Sequence, residues 1–298
     1  MTDTVATLEA TYEATSRTLE GDEPIHYHVY GDGPALLLLH GSGPGVSAWA
    51  NFGDLLPAIG AQHRIIAPDL PGYGTSYIPE LDGDYSLTAI AAIRRVLEAE
   101  GVDRVHVLGN SLGGMIAFRL TLEHPELVDR IVAMGPGGAA FPLFGPQPTE
   151  GIRRLVEFTT DPTRERLVAW MHSMVGDPSF VTEERIQARW ETASTPEALA
   201  FTRAFYAAAM RAMAKGATPA VPLWARLGEI GNEVLLVYGR DDRVTPLESA
   251  FLPLRLLRRS ELHVISNTGH WVMIERPAAF ARVVCEFLGR PSGAVPAV

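Results

Sequence analysis

The clearest chemical signal in the sequence is a serine flanked by glycines, Gly109-Asn110-Ser111-Leu112-Gly113, with one further glycine after it. The segment follows an apolar run at 105–108 and opens an apolar helical pattern. A sharp turn from strand to helix needs small residues two positions before and after the serine, and it exposes the hydroxyl as a nucleophile. The alternative is a glycine-rich connector in which Ser111 only caps the helix. The strand and helix patterns on either side favour the interpretation of Ser111 as a nucleophile.

A nucleophilic serine needs a base and a group that orients the base, and with such a turn the acid and then the histidine follow the serine along the chain. His270 follows a strand-like segment at 261–266, and Asp242 follows another at 234–238. Because parallel strands end at one edge of a sheet, these loops can meet. We predict that His270 accepts the Ser111 proton and that Asp242 fixes the orientation of the imidazole.

The neighbouring Asp241 is the alternative acid. Asp242 is preferred because it lies three residues after Gly239 at the end of the strand pattern. Asp241 would then be a turn residue or would form an ion pair, with Arg243 as the candidate partner.

Backbone N–H groups aimed at the developing negative charge would complete such a site. The predicted helix begins at Leu112, and H-G-S-G-P-G at 40–45 follows an apolar run at 35–39. We predict that the N–H groups of Ser42 and Leu112 form an oxyanion hole. A phosphate-binding loop is the alternative, but neither G-x-G-x-x-G nor G-x-x-x-x-G-K-[ST] is present. No pattern argues for a metal, and we expect no cofactor.

The elements that must position these residues alternate between strand-like and helix-like segments. Strand patterns occur at 25–30, 35–39, 64–68, 105–108, 131–134, 234–238 and 261–266. Helical patterns cover 86–100, 112–123 and 277–288. Continuous apolar runs are typical of strands buried on both faces, and strands separated by helices favour a mostly parallel sheet flanked by helices. The sequence therefore predicts an α/β fold.

This alternation stops after residue 134 and resumes at 234, and the chain between is rich in helical patterns. We predict a core domain formed by residues 1–138 and 226–298 and an inserted helical lid at 139–225. Ligands of open α/β sheets bind at the carboxyl ends of the strands, so a lid over that edge would cover the site.

Composition excludes several other classes of protein. The 298 residues carry 25 Lys and Arg against 35 Asp and Glu, which argues against nucleic acid or an anionic membrane as partner. The single cysteine, Cys285, cannot form an internal disulfide. No apolar stretch approaches the ~20 residues that span a bilayer, and the first 16 residues are polar and acidic. We expect a cytoplasmic protein.

The whole chain resembles the α/β-hydrolase fold, and more narrowly the meta-cleavage product hydrolases. The resemblance rests on H-G-S-G-P-G-V-S-A-W-A-N-F at 40–52, G-N-S-L-G-G at 109–114, M-G-P-G-G at 134–138, Q-A-R-W-E at 187–191, G-R-D-D-R-V-T-P at 239–246 and G-H-W at 269–271. This family hydrolyses a carbon–carbon bond in 2-hydroxy-6-oxo-2,4-dienoates from bacterial degradation of aromatic and steroid rings.

The resemblance implies roles for four further residues. Asn51, Asn110 and Trp271 would contact the polar dienoate end of a small carboxylated substrate, and Arg189 would hold its carboxylate through a bidentate pair. Taken singly, each has an ordinary structural explanation: a turn or cap, a permissive turn position, hydrophobic packing and a surface ion pair. Their occurrence together, in family order, favours the functional interpretation.

The family reaction implied by the resemblance begins with enol-to-keto tautomerisation. Chemistry by Ser111, acting as nucleophile or through an activated water, then follows at the 6-oxo carbon, and the C5–C6 bond breaks. Ketonisation supplies an electron sink, so the leaving carbon departs as a stabilised enolate. The resemblance implies no cofactor other than water, and relatives often form homodimers or larger homo-oligomers.

The sequence says less about the distal end of the substrate. Val244 lies where some relatives have a bulky aromatic residue, and residues 141–148 resemble the lid entries of relatives with large substrates. Apolar residues at helical spacing in the insertion suggest a roomy hydrophobic pocket, although packing alone could explain them. They are Leu155, Trp170, Met171, Met174 and Phe205.

Three other functions compete with the carbon–carbon hydrolase. A carboxylesterase or enol-lactonase could use the same three catalytic groups. A haloalkane dehalogenase is disfavoured because the nucleophile position holds Ser111 rather than an aspartate. A non-catalytic ligand-binding homologue is disfavoured because the serine, acid and histidine are all present.

Overall fold

A twisted sheet of eight strands forms the centre of the protein. The structure is a computed structural model that describes residues 10–139, 148–214 and 221–291. The strands are β1 Ser16–Leu19, β2 Ile25–Tyr30, β3 Ala35–Leu39, β4 Arg64–Pro68, β5 Val105–Asn110, β6 Val128–Met134, β7 Glu233–Gly239 and β8 Ser260–Ile265. Their spatial order is β1-β2-β4-β3-β5-β6-β7-β8. Only the pairs β1–β2 and β2–β4 are antiparallel, so the predicted mostly parallel sheet is confirmed.

Helices connect the strands and cover both faces of the sheet. They are α1 Tyr12–Thr15, α2 Ala48–Phe52, α3 Leu56–Gly60, α4 Tyr85–Ala99, α5 Leu112–Glu123, α6 Glu150–Thr160, α7 Arg164–Met174, α8 Glu183–Ala193, α9 Pro196–Ala214, α10 Leu223–Arg226, α11 Phe251–Leu256, α12 Val272–Glu275 and α13 Pro277–Leu288. Strand side chains alternate between two buried clusters: α4 and α5 pack on one face, and α3, α7 and α13 on the other. Burial on both faces explains the continuous apolar runs.

The first strand, β1, was not predicted from the sequence. Its two end residues are half-buried and its two middle residues are exposed, at the antiparallel edge of the sheet. A short polar edge strand carries no apolar run, so its sequence does not stand out from a loop.

Helices α6 to α9 occupy the predicted insertion between β6 and β7. They pack on one another, with α6 against both α7 and α9, and α8 against both α7 and α9. Of the segment 141–148, which the sequence likened to a lid entry, only Pro148 lies within the described residues. The other seven residues lie outside them.

Two properties of the described residues bear on the sequence predictions. None of the helices in 10–139, 148–214 and 221–291 combines the length and the apolar character needed to cross a membrane. In the same ranges, no three His, Cys, Asp or Glu side chains lie close enough to hold a metal ion.

Candidate active site

Ser111 occupies a strained turn between β5 and α5. Its φ of 53° and ψ of −110° lie where serine is rarely found, and strain of this kind is concentrated at functional sites. The flanking glycines are required by crowding: a Cβ at Gly109 would strike the carbonyl oxygen of Gly113, and one at Gly113 would strike that of Leu39. The spacing of the motif thus follows from the tight packing of the turn.

His270 and Asp242 lie together in the loops after β8 and β7. His270 Nδ1 lies 2.7 Å from Asp242 Oδ2, and both side chains are buried. The other carboxylate oxygen accepts from the backbone N–H groups of Val244 and Thr245, at 2.7 and 2.9 Å. The Thr245 hydroxyl donates to Asp242 Oδ2 at 2.9 Å. These four contacts fix the carboxylate against the imidazole.

The neighbouring Asp241 lies away from the imidazole. It pairs with Arg240 at 3.2 Å, and not with Arg243 as expected, because Arg243 donates to the carbonyls of His172 and Val175 and pairs with Glu150. The preference for Asp242 over Asp241 therefore agrees with the contacts of the two carboxylates.

Gly135 makes room for the imidazole between the serine and the acid. Strand β6 separates β5 from β7 in the sheet, so the loop after β6 lies between Ser111 and Asp242. Gly135 has a φ of 48°, and a Cβ there would approach His270 Cε1 to 3.0 Å. A side chain at this position would displace the ring, which explains the glycine in the M-G-P-G-G segment.

Ser111 and His270 line one small cavity of about 50 Å³, which we call the inner cavity. Among the described residues, no hydrogen bond joins the Ser111 hydroxyl to another side chain, His270 included. Hydrogen bonds between catalytic groups are often long before substrate binds and shorten in the complex. The two groups thus face the same space with the serine hydroxyl free to turn.

Two backbone N–H groups near Ser111 have no acceptor among the described residues: those of Ser42 and Leu112. Leu112 begins α5, where the N–H groups of the first turn lack partners within the helix. Ser42 lies in the loop after β3 and lines the inner cavity. Both predicted oxyanion donors are therefore available to an incoming oxygen.

Tyr206, on α9, holds the Ser42 residue in place. Its hydroxyl donates to the Ser42 carbonyl at 2.9 Å and lies 2.8 Å from the Ser42 hydroxyl. Since the tyrosine proton is used for the carbonyl, the Ser42 hydroxyl donates to the tyrosine oxygen. Burial raises the pKa of Tyr206 to about 12, so the phenol remains protonated in this arrangement.

The predicted polar residues also line the inner cavity. Asn51 Nδ2 donates to Asn110 Oδ1 at 3.2 Å, and Asn110 Nδ2 donates to the Met134 carbonyl at 3.4 Å. The Arg189 guanidinium lies 5.4 Å from the ring centroid of Trp271. The structure thus brings Asn51, Asn110, Arg189 and Trp271 together with Ser111 around one space.

Arg189 is unusual because it is a buried cation. Only 8% of the residue is exposed, and the one hydrogen bond that its side chain makes within the described residues goes to the Pro44 carbonyl at 3.3 Å. No carboxylate in that part of the chain forms an ion pair with it. Burial, together with the nearby Arg185, lowers the pKa of Arg189 to about 10, so the group stays cationic at neutral pH.

The apolar residues predicted to surround a distal pocket fall into three groups. Leu155, Trp170 and Met174 line the inner cavity with Val244, whereas Met171 lines a separate and larger cavity. Phe205 instead packs edge-on against Tyr85. The expected roomy pocket is not found at Ser111, because Trp170 and its neighbours fill most of that space.

Sequence reasoning missed Tyr206, Thr245 and Gly135. Thr245 and Gly135 lie within segments that the sequence singled out, at 239–246 and 134–138. The hydroxyl of Thr245 and the missing side chain of Gly135 could therefore have been noticed. Tyr206 carried no signal, since its contact with Ser42 spans 164 positions along the chain.

Comparison with known proteins agrees with this fold. A family model described as the α/β hydrolase fold matches residues 34–277. A 2-hydroxy-6-oxo-6-phenylhexa-2,4-dienoate hydrolase of Burkholderia cepacia is 35% identical over 271 residues, which cover 89% of this chain and 91% of the relative. A 2-hydroxy-6-oxononadienedioate/2-hydroxy-6-oxononatrienedioate hydrolase of Escherichia coli strain K12 is 35% identical over 94% of this chain and 98% of its own.

Comparison with solved structures finds similar proteins of the same kind. The 2-hydroxy-6-oxo-6-phenylhexa-2,4-dienoate hydrolase of Rhodococcus sp. strain RHA1 superposes with a TM-score of 0.81 at 30% identity, covering 93% of this chain and 100% of that one. The meta-cleavage product hydrolase of Pseudomonas fluorescens IP01 gives a TM-score of 0.78 at 30% identity, covering 92% and 97%.

The chain therefore belongs to the α/β hydrolases, which confirms the fold expected from the sequence. Its relatives place it more narrowly among the meta-cleavage product hydrolases, a family of enzymes that act on carbon–carbon bonds.

Proposed function

We propose that the protein is a serine-dependent hydrolase that cleaves the C5–C6 bond of 2-hydroxy-6-oxo-2,4-dienoates, the ring-fission products of aromatic or steroid degradation. Ser111, His270 and Asp242 carry the bond cleavage, and the buried Arg189 binds the substrate carboxylate. The relatives named for such dienoates support the substrate class.

The observation that carries this proposal is the buried guanidinium of Arg189, which has no carboxylate partner among the residues that the structure describes. Burying a charge without a partner is costly, and a protein keeps such a group where a ligand supplies the opposite charge. A carboxylate matches the planar fork of a guanidinium and can pair with two of its N–H groups. A simple esterase acting on neutral esters would have no use for this cation beside its nucleophile.

The nucleophilic half of the reaction follows from the geometry around His270. Its Nδ1 is held by Asp242, so Nε2 is left to accept the proton from the Ser111 hydroxyl or from a water that the serine positions. The carbonyl oxygen at C6 gains negative charge as the nucleophile adds. The free N–H groups of Ser42 and Leu112 stabilise that charge.

Carbon departs only because the dienoate offers an electron sink. Ketonisation of the 2-hydroxy group protonates C5 and leaves a C3–C4 double bond conjugated with the new C2 carbonyl. When the C5–C6 bond breaks, its electron pair passes through C4 and C3 onto the oxygen at C2. The products are a 2-hydroxypenta-2,4-dienoate and the carboxylic acid that contains C6, and one water is consumed.

The polar groups near Arg189 are placed to hold the dienoate end during these steps. Asn51 and Asn110 form a buried amide pair, and Trp271 offers its ring beside the guanidinium. An amide pair can donate to a carbonyl or enolate oxygen, and an aromatic face packs against a flat conjugated chain. These residues therefore suit the C1–C2 end of the substrate.

The helical segment at 139–225 acts in this proposal as a lid domain on the core formed by 1–138 and 226–298. Two of the groups invoked here, Arg189 on α8 and Tyr206 on α9, come from that segment. A cytoplasmic location and assembly into a homodimer or larger homo-oligomer stay predictions.

A substrate panel tests the proposal. Purified protein is mixed with 2-hydroxy-6-oxohexa-2,4-dienoates carrying a 6-phenyl, a 6-alkyl or a steroid-type substituent, and with p-nitrophenyl acetate. We expect loss of the yellow dienolate absorbance, with the pentadienoate and the C6 acid as products. Fast ester hydrolysis with no consumption of any dienoate would contradict the proposal and indicate a carboxylesterase.

A further inference from the structure

A second and larger cavity shares Arg189 with the inner cavity as a lining residue. It has a volume of about 630 Å³, within the range of small-molecule sites, and we call it the outer cavity. Neither Ser111 nor His270 lines it. Val46, Arg189 and Trp271 line both cavities and therefore form the wall between them.

The walls of the outer cavity are mostly apolar. Trp49, Met171, Phe180 and Ile274 contribute to them, and Ile78 stands at the surface with 59% of the residue exposed. Isolated exposed apolar residues are common, but one at the edge of an apolar cavity extends its surface towards solvent. Such a space suits a conjugated or aromatic molecule more than a sugar or a nucleotide.

The charges facing the outer cavity favour an anion at its inner end. Both carboxylate oxygens of Asp69 are occupied, by the N–H groups of Ala48 and Thr75 and by His26. Glu191, Glu197 and Arg185 also face the cavity, but all three are exposed, so water and salt screen them. Arg189 is the buried charge of the set that lacks a carboxylate partner among the described residues, and its field is screened least.

We propose that the outer cavity is an entry compartment in which a carboxylated, conjugated substrate binds before it reaches Ser111. Arg189 serves both compartments: it attracts the carboxylate from the outer side and holds it while the chain of the substrate moves past Trp271 into the inner cavity. This inference rests on the proposed function, and it adds a binding compartment to that site. It also explains why the larger space is lined by Arg189 and not by Ser111.

Blocking the outer cavity with a large side chain tests the inference. Ala198 lines the cavity from α9, whereas Ala200, two residues along the same helix, is exposed and lines neither cavity. We expect A198W to lower kcat/KM for the 6-phenyl dienoate at least tenfold, while A200W stays within twofold of the unmodified protein. Equal values for the two variants would overturn the proposal.

A charge introduced at Ile78, at the edge of the outer cavity, gives an independent test, because a negative and a positive variant differ in charge and not in how much space they fill. Because Ile78 is exposed, I78E and I78K should fold equally well. We expect kcat/KM for the dienoate to be several-fold higher in I78K than in I78E, and the difference to shrink at 1 M salt, where the screening length is about 3 Å. For neutral p-nitrophenyl acetate the two variants should agree. Equal dienoate values at low salt would contradict entry by this route.

A binding measurement separates this inference from the proposed function. Sorbate, the hexa-2,4-dienoate anion, has the carboxylate and the conjugated chain but no bond to cleave. Titration calorimetry should detect sorbate binding to the unmodified protein and to A200W, and at least tenfold weaker binding to A198W. This result would uphold the compartment even if no dienoate were hydrolysed. Failure of sorbate to bind, or equal binding to both variants, would overturn it.

Discussion

Among the residues that the structure describes, two groups of serine, histidine and aspartate side chains stand out, and only one of them has the surroundings of an active site. The first group is Ser111, His270 and Asp242, and the second is Ser16, His26 and Asp69. The histidine-to-carboxylate distances are almost the same, 2.7 and 2.8 Å. The second group even has the closer serine, since Ser16 Oγ lies 2.6 Å from His26 Nε2.

The difference lies in what surrounds each serine. Ser16 has an ordinary extended backbone, with φ −69° and ψ 135°, within the ladder between β1 and β2, and it lines neither cavity. Ser111 has a strained backbone, faces the inner cavity and stands beside two N–H groups without acceptors. Three residue types at short distances therefore do not define a catalytic site; the nearby donors and an accessible space do.

The largest expected effect is on the two serines. S111A should lower kcat for the dienoate by a factor on the order of 10⁴, because the hydroxyl that His270 activates is lost. S16A, the matched control, should stay within a few fold. Steady-state kinetics checks both, and labelling with a fluorophosphonate should stop in S111A alone. Labelling of Ser16 in the unmodified protein would remove the distinction between the groups.

The neighbouring residues Asp242 and Asp241 give a second pair of matched variants. D242N should lower kcat by about 10³-fold, because an amide cannot hold the imidazole in the tautomer that accepts the serine proton. D241N should change kcat less than twofold, since Asp241 contacts Arg240 and not His270. Comparable losses in the two variants would show that the acid has been assigned to the wrong residue.

A smaller effect is expected from Tyr206. Y206F removes the donor to the Ser42 carbonyl, so the Ser42 N–H should be held less well and kcat should fall about tenfold with little change in KM. Affinity for a boronic acid, which forms a tetrahedral adduct with a serine, should fall in parallel. The control Y85F loses a similar buried bond, to the Pro71 carbonyl, and should lose stability without losing kcat. A rise in KM with kcat unchanged would contradict this role.

A histidine that packs against the second group should influence stability rather than catalysis. His28, which packs 4.8 Å from His26, is buried, and burial lowers its pKa to about 4. The unfolded chain binds a proton near pH 6.5 and the folded chain does not, so the free energy of unfolding should fall as the pH drops from 6.5 towards 4. H28N should reduce this slope in urea titrations at several pH values. An unchanged slope would contradict the assignment.

The sequence predicted the parts of the site that strand ends position. Apolar runs marked β5, β7 and β8, and the loops that follow them carry Ser111, Asp242 and His270. The crowding at Gly109 and Gly113 is local, so the spacing of the motif reports it directly.

The parts that depend on distant packing could not be predicted in the same way. Arg189 lies on a helix with exposed neighbours such as Gln187 and Ala188, and its pattern is typical of a surface residue. Only the family resemblance suggested its role, because its burial is set by the packing of α8 over the loop that contains Pro44. The division between the inner and outer cavities likewise depends on where Trp170 and Trp271 meet, 5.4 Å apart between ring centroids.

The most direct test of the account compares one dienoate with its methyl ester, which lacks the carboxylate charge. In R189A, kcat/KM for the carboxylate should fall about 10- to 100-fold while the value for the ester stays within a few fold. R153A, a change at an exposed arginine of α6 that lines neither cavity, should leave both values unchanged. Equal losses for the two substrates in R189A, or no loss for the carboxylate, would contradict the claim that the buried guanidinium binds the substrate carboxylate.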